Sequence, residues 1–200
     1  MRCLLCSGFC FGNDYWENLS HLLDMECEFF DPAKKYDDDK EIVGIGHSIG
    51  FQKLNNSGIK FKALIGLQGF LNFCGDDPIL NKKLSANLDK MKALFSRNAE
   101  KARVSFLQLC GYEKPGGECA SLEILLQDLE SMKSKYNHCG CKSLVIGTND
   151  DPIILPQILH DNFSDRSDVS LKIMQGKHHV LGWKDAEHVA HMIHEFLNVK

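Results

Sequence analysis

The chain has 200 residues, 44% of them hydrophobic and 25% charged, with a formal net charge of −4. That length suits one domain, residues 1–200, built around a single sizeable core, and the negative balance argues against a nucleic-acid binder. No apolar run is long enough to span a bilayer, and the apolar part of Met1–Ser7 is too short for a secretory signal. The chain therefore reads as cytoplasmic, with its nine cysteines as reduced thiols.

Strand-like runs alternate with helical patterns through most of the sequence. Arg2–Cys6 is the first predicted strand, and Asn13/Asp14 caps a helix carrying Tyr15, Trp16, Leu19, Leu22 and Leu23 at helical spacing. Glu26–Phe30 is a short strand closed by Asp31-Pro32, and the acidic run Asp37–Asp39 reads as a solvated connection. Ile42–Gly46 is the next strand, followed by a helix beginning near Phe51 and ended by Asn55–Gly58. Phe61–Gln68 is apolar on both faces, as in a covered parallel strand. From Asp76 to Lys135 only helical patterns occur, over Leu80–Leu94, Ala99–Leu109 and Leu122–Met132. Strands return at Ser143–Gly147 and Val169–Met174, with helices over Ile153–Phe163 and Asp185–Leu197. This alternation predicts an α/β fold with a mostly parallel sheet of about six strands, covered by helices. The helical insertion at 76–135 is expected to cap the carboxyl ends of the strands, where ligands bind in such sheets.

Chemistry concentrates at Gly46-His47-Ser48-Ile49-Gly50, a G-x-S-x-G between a strand and a helix. In that context the serine sits on a strained turn with its hydroxyl exposed, and the flanking glycines let the backbone fold tightly. The overlapping Gly44-Ile45-Gly46 fails as a dinucleotide fingerprint because Ile49 occupies its third glycine position. A serine hydroxyl needs a base, and the base needs an orienting carboxylate. Asp150 follows the strand Ser143–Gly147 and is the expected acid; Asp151, just before Pro152, is its competitor and looks better placed to start the next helix. His178 follows the last strand and is the expected base, with His179 as the alternative; either completes the order serine, acid, histidine. The expected oxyanion donors are the backbone N–H groups of Ile49 and of Phe9, the latter in the loop where Gly8 permits close approach.

Other reactive side chains carry less. Cys3, Cys6 and Cys10 could be set beside His138, Cys139 and Cys141 as a zinc site, but residues three apart on a strand face opposite sides and paired C-x-x-C knuckles are missing. No metal or organic cofactor is expected. His188, His191 and His194 lie along one face of the last helix, solvated or half-buried.

With Gly8-Phe9, Ser48, Asp150 and His178 in place, the chain resembles the α/β-hydrolases, and among them the pimeloyl-acyl-carrier-protein methyl ester esterases of biotin synthesis. The resemblance runs through Leu4–Phe9, Asn13–Leu23 with Trp16, Ser105–Leu109, Leu122–Leu125 and His178–Glu187. It implies a serine carboxylesterase with an acyl-carrier protein as partner. The chain departs from the family in starting at what would be its third strand, in placing Asp185 where proline is common, and in a shortened insertion around Tyr112–Gly117. Residues 82–103 carry a net charge of +5, from Lys82, Lys83, Lys90, Lys92, Arg97, Lys101 and Arg103 against Asp89 and Glu100. A basic cap suits an acidic carrier, so Lys90, Arg97 and Arg103 are candidate contacts, and solvated lysines are the plain alternative. Phe70, Leu71, Phe73 and Leu94 are candidates for an acyl channel, with core packing as the competing role. The readings that remain beside the methyl esterase are a general short-acyl esterase or thioesterase, and a non-catalytic binding protein of the same fold.

Overall fold

The computed structural model describes residues 1–36, 41–114 and 119–198. The expected acidic connection at Asp37–Asp39 lies outside the described residues, as does part of the Tyr112–Gly117 segment.

Six strands form one sheet in the order β2-β1-β3-β4-β5-β6, and every pairing is parallel. They are β1 (Arg2–Cys6), β2 (Glu26–Phe29), β3 (Ile42–His47), β4 (Ala63–Leu67), β5 (Ser143–Thr148) and β6 (Val169–Met174). All residues of β3, β4 and β5 are buried, which is why these strands read as continuous apolar runs. The edge strands differ: β2 carries Glu26 and Glu28, and β6 carries Lys172, so each edge bears charge. Arg2 and Lys34 both pair with Glu28 across the β2 edge.

The chain runs from β1 outward to β2 and then back to the other side of β1 for β3. The carboxyl ends of β1 and β3 therefore border a switch point, where adjacent loops diverge and leave a crevice. Register brings these ends level, with Cys6 opposite Gly46 and His47 opposite Leu67. The loop after β1 and the turn after β3 must consequently meet.

Helices cover the sheet. A 3₁₀ turn at Asn13–Trp16 continues into α1 (Glu17–Ser20), shorter than the apolar spacing through Leu23 predicts. Beyond its end Leu22 is exposed while Leu23 still reaches the core. Trp16 is fully buried, and its indole N–H donates to Ser7 Oγ at 2.8 Å. α2 (Ile49–Asn55) follows β3 directly. Between β4 and β5 stand α3 (Pro78–Arg97), α4 (Ala99–Leu109) and α5 (Leu122–Ser131). α3 begins earlier than its apolar pattern because Asp77 accepts from the amides of Ile79 and Leu80, and Pro78 suits the first turn. α6 (Pro156–Phe163), the short α7 (Leu181–Lys184) and the amphipathic α8 (Ala186–Leu197) complete the chain. No helix among the described residues is long and apolar enough to cross a membrane.

Candidate active site

Ser48 occupies the turn between β3 and α2 with φ +54° and ψ −123°, a conformation that L-residues rarely adopt. The surroundings enforce it. A Cβ on Gly50 would lie 2.1 Å from the carbonyl oxygen of Cys6, and one on Gly46 would lie 2.3 Å from the amide nitrogen of Phe51. The glycines of the motif are therefore required by backbone packed against backbone, β1 on one side and the start of α2 on the other.

The loop after β1 approaches equally closely. A Cβ on Gly8 would lie 2.7 Å from Nδ1 of His47. Phe9 turns its buried ring toward α3 and α4, edge-on to Phe95 and Phe106 at 5.1 and 5.2 Å. Among the described residues, neither the Phe9 N–H nor the Ile49 N–H donates to a backbone carbonyl.

Of the two neighbouring aspartates and the two neighbouring histidines, the structure brings the second of each together. Asp151 Oδ2 lies 2.7 Å from His179 Nδ1, with the carboxylate fully buried and the imidazole nearly so. The other oxygen of Asp151, Oδ1, accepts from the amides of Ile153 and Ile154 at 2.7 and 3.0 Å. A carboxylate held at both oxygens fixes the ring that faces it. Asp150 and His178 are placed elsewhere. The Asp150 carboxylate accepts from Asn149 Nδ2, and His178 Nε2 lies 3.0 Å from Asp185 Oδ2. The expected pairing of Asp150 with His178 is not the one observed: the tight turns after β5 and β6 direct Asp151 and His179 inward, and these two meet.

Among the described residues His179 Nε2 is buried with no hydrogen-bond partner, as are His47 Nδ1 and Gln68 Oε1, which belong to the residues that hold its turn. Buried polar atoms are usually satisfied, so such an atom calls for an explanation. Its turn is gripped from three strand ends: His47 Nε2 meets the His179 carbonyl at 2.8 Å, while Gln68 Nε2 and Thr148 Oγ1 donate to the His178 carbonyl at 2.9 and 3.3 Å. The rings of His47 and His179 lie 4.8 Å apart, so the serine turn and the histidine turn are docked on each other.

The comparisons with known proteins agree with this architecture. No family model matches the sequence, and no curated protein matches it. Solved structures do. An esterase from Exiguobacterium antarcticum superposes with a TM-score of 0.75 at 11% identity, covering 99% of this chain and 92% of its own. A hydrolase from Oleispira antarctica gives 0.72 at 12% identity, over 100% and 92% of the two chains. BioG from Haemophilus influenzae gives 0.65 at 16% identity, over 90% and 89%.

The chain has the α/β-hydrolase fold. In this hydrolase fold α3 and α4 enclose a groove of about 630 Å³ lined by Leu94, Phe95, Arg97, Lys101 and Phe106 among others. Phe95 and Phe106 line it and also touch Phe9, although Phe9 and Ser48 are not among its lining residues. Of the residues expected to touch substrate, Arg97 and Leu94 line the groove, and Lys90 is exposed on α3 outside its lining. Arg103 turns inward instead, its Nε donating to the Cys10 carbonyl at 3.4 Å, which holds the loop after β1. Phe70 and Phe73 pack on each other at 5.3 Å within the core, and Leu71 is buried beside them. A larger hollow of about 1290 Å³ passes Gly8 and Cys10 toward Lys34, Lys53 and Asp128. The two cysteine groups stay apart, since β1 and β5 are separated by β3 and β4.

His47, Gln68 and Thr148 were not singled out from the sequence. The signal was present: each is a buried polar residue at the carboxyl end of an apolar strand or just beyond it. His47 has a measurable consequence. Burial, and then the charge of His179, push its imidazole well below the ordinary histidine range. Below the ordinary value of about 6.5 the unfolded chain takes up a proton that the folded chain refuses, so stability falls as pH drops through that point toward the folded pKa. Urea midpoints measured from pH 7.5 to 5 are expected to fall, with a contribution from His47 of up to about 1.4 kcal/mol per pH unit. A His47→Gln variant, less stable at neutral pH, is expected to lose that share of the slope.

Proposed function

We propose that the protein is a serine carboxylesterase in which Ser48 is the nucleophile, His179 the base and Asp151 the orienting acid. The observation that carries this reading is the buried Asp151–His179 pair, whose other ring nitrogen has no partner among the described residues and whose turn is docked on the strained serine turn. In the resting protein that nitrogen is not bonded to Ser48 Oγ; such contacts often tighten only when substrate binds.

Ser48 Oγ attacks the ester carbonyl carbon while His179 Nε2 takes the hydroxyl proton. The amides of Phe9 and Ile49 receive the oxyanion of the tetrahedral intermediate, and Ile49 also opens α2. Collapse expels the alcohol, which leaves with the proton from His179. Water, deprotonated by the same nitrogen, then attacks the acyl-serine and releases the acid. Asp151 keeps the imidazole in one tautomer and stabilises its charged form.

The narrower reading is the methyl ester of pimeloyl-acyl-carrier protein, with an acidic carrier as the partner. Its support is the family resemblance together with Arg97 and Lys101 at the mouth of the α3–α4 groove. The groove's apolar lining suits the acyl chain, and its basic rim suits the carrier. Lys92 is already paired with Glu130, which lessens the charge that α3 offers.

The test is steady-state hydrolysis of p-nitrophenyl acyl esters, followed by the methyl ester of an acyl-carrier-bound dicarboxylate. Wild type is expected to hydrolyse both, and Ser48→Ala to lose at least about 10⁴-fold in kcat. Activity on the small esters alone moves the assignment to a general short-acyl esterase or thioesterase. Equal inactivity of wild type and Ser48→Ala on every ester points to a non-catalytic binding protein.

A further inference from the structure

A second cluster of reactive groups lies in the loop that leads into β5, apart from the serine turn. Cys139 and Cys141 flank Gly140, and their sulfur atoms are 3.2 Å apart. Gly140 adopts φ +82°, a left-handed conformation that folds the loop at this point. A Cβ there would meet nothing within 4 Å, so the tip of the loop is open.

The base of the loop is held firmly. The amide of Cys139 donates to Asn55 Oδ1 at 2.9 Å, and Asn55 Nδ2 donates to the Asn137 carbonyl at 2.8 Å. Asn55 is the last residue of α2, so the loop is tied to the far end of the helix that starts after Ser48. His138 is buried, with Nδ1 2.9 Å from Asp168 Oδ2 and Nε2 2.9 Å from Ser143 Oγ. Donor atoms of His138, Cys139 and Cys141 lie within 4.8 Å of one another. Both ring nitrogens of His138 are already engaged, however, which leaves the two sulfurs as the reactive groups.

Exposure separates this pair from the other cysteines. Of the nine, Cys139 alone is exposed, and Cys141 behind it is half-buried. The hydrogen bond from Cys141 lowers the Cys139 thiol to about 6, and the same contact raises that of Cys141. An accessible thiol with thiolate character and a second thiol within reach are the two parts of an exchange site.

We propose that Cys139 and Cys141 form a reversible dithiol–disulfide couple that exchanges with low-molecular-weight disulfides. The Cys139 thiolate attacks one sulfur of the disulfide RS–SR, forming a mixed disulfide and expelling RS⁻, which takes up the proton Cys139 had released. Cys141 loses its proton and attacks the Cys139 sulfur, breaking the mixed bond and releasing a second thiolate, which takes up that proton. The two protein thiols are oxidised to one disulfide, and RS–SR is reduced to two RSH. The sulfurs must close from 3.2 Å to a bond of about 2.0 Å, a movement that an open loop tip permits. A ring closed over a single intervening residue at the surface belongs to the strained, exposed class of disulfides, which are readily reduced again.

The test uses the full chain equilibrated in glutathione buffers, acid-quenched, alkylated and mapped by peptide mass spectrometry. The peptide carrying Cys139 and Cys141 is expected to lose two hydrogens on oxidation and to regain them with dithiothreitol. Halving reduced glutathione at constant oxidised glutathione is expected to raise the oxidised-to-reduced ratio about fourfold, since two thiols are released per disulfide formed. A twofold rise, with a lasting glutathione adduct on Cys139, overturns the proposal. So does a stoichiometric zinc ion that survives dialysis and shields both thiols from alkylation, the mark of a metal site. Cys141→Ser, with its fold checked by circular dichroism, is expected to stop at the Cys139 adduct. An intramolecular disulfide from Cys139 to another cysteine in that variant also counts against the proposed pair.

Discussion

Replacing His179 with alanine is expected to lower kcat for p-nitrophenyl ester hydrolysis by about 10⁴- to 10⁶-fold, while His178→Ala remains within about tenfold of wild type. The difference follows from where each ring points. His179 Nδ1 is bound to a buried carboxylate and its Nε2 is unpartnered, so the ring can take a proton from an attacking hydroxyl. His178 has Nε2 occupied by Asp185 and Nδ1 near the amide of Val180, and its side chain is 17% exposed. Its loss removes a contact at the start of the last helices and no proton acceptor. The carbonyls of both residues, which hold the turn to His47, Gln68 and Thr148, survive either substitution. Steady-state kinetics on the two variants, with circular dichroism to confirm folding, reads the result. Equal losses in both variants overturn the assignment of His179 as base.

Asp151→Asn is expected to lower kcat by about 10⁴-fold with little change in KM, because an amide can hold the ring in the wrong tautomer and brings no charge to stabilise the imidazolium. The fold should tolerate the change: asparagine retains an oxygen able to accept from Ile153 and Ile154. Asp150→Asn is expected to stay within about threefold, the size of an ordinary surface substitution. Its carboxylate touches only the neighbouring Asn149 side chain among the hydrogen bonds of the described residues. A large loss in Asp150→Asn with none in Asp151→Asn would restore the acid expected from the sequence.

The sequence favours Asp150 over Asp151 because Asp151 stands before Pro152 and suits the start of a helix. It does serve the chain in that way, through one oxygen that accepts from Ile153 and Ile154. A carboxylate has a second oxygen, and here that oxygen faces His179. One side chain thus meets the helix start and the imidazole at once. The histidines posed a similar problem: adjacent residues in a tight turn face different ways, and nothing in their identity says which faces inward.

Other features were more legible. The strand order of apolar runs, the serine turn and the broken rhythm between β4 and β5 all appear in the sequence as period and glycine placement. Arg103 was harder to read. On charge alone it joins the basic face of the cap, yet its guanidinium reaches the carbonyl of Cys10. The helical repeat could place it on α4, but not say that the loop after β1 would pass beneath it.

What the sequence determined by itself is the class of sheet and the position of Ser48. Both depend on local matters: which residues are apolar on two faces, and where only glycine fits between a strand and a helix. Tertiary structure decided which aspartate and which histidine meet, that Phe70 and Phe73 belong to the core, and that Cys139 and Cys141 touch. Those outcomes depend on side-chain direction within turns, set by the strand ends that grip each turn and lie far away in the chain. His47 illustrates the division. Its place beside the serine is visible in the motif, whereas its hold on the His179 carbonyl exists only because β3 and the last turn of the sheet are folded against each other.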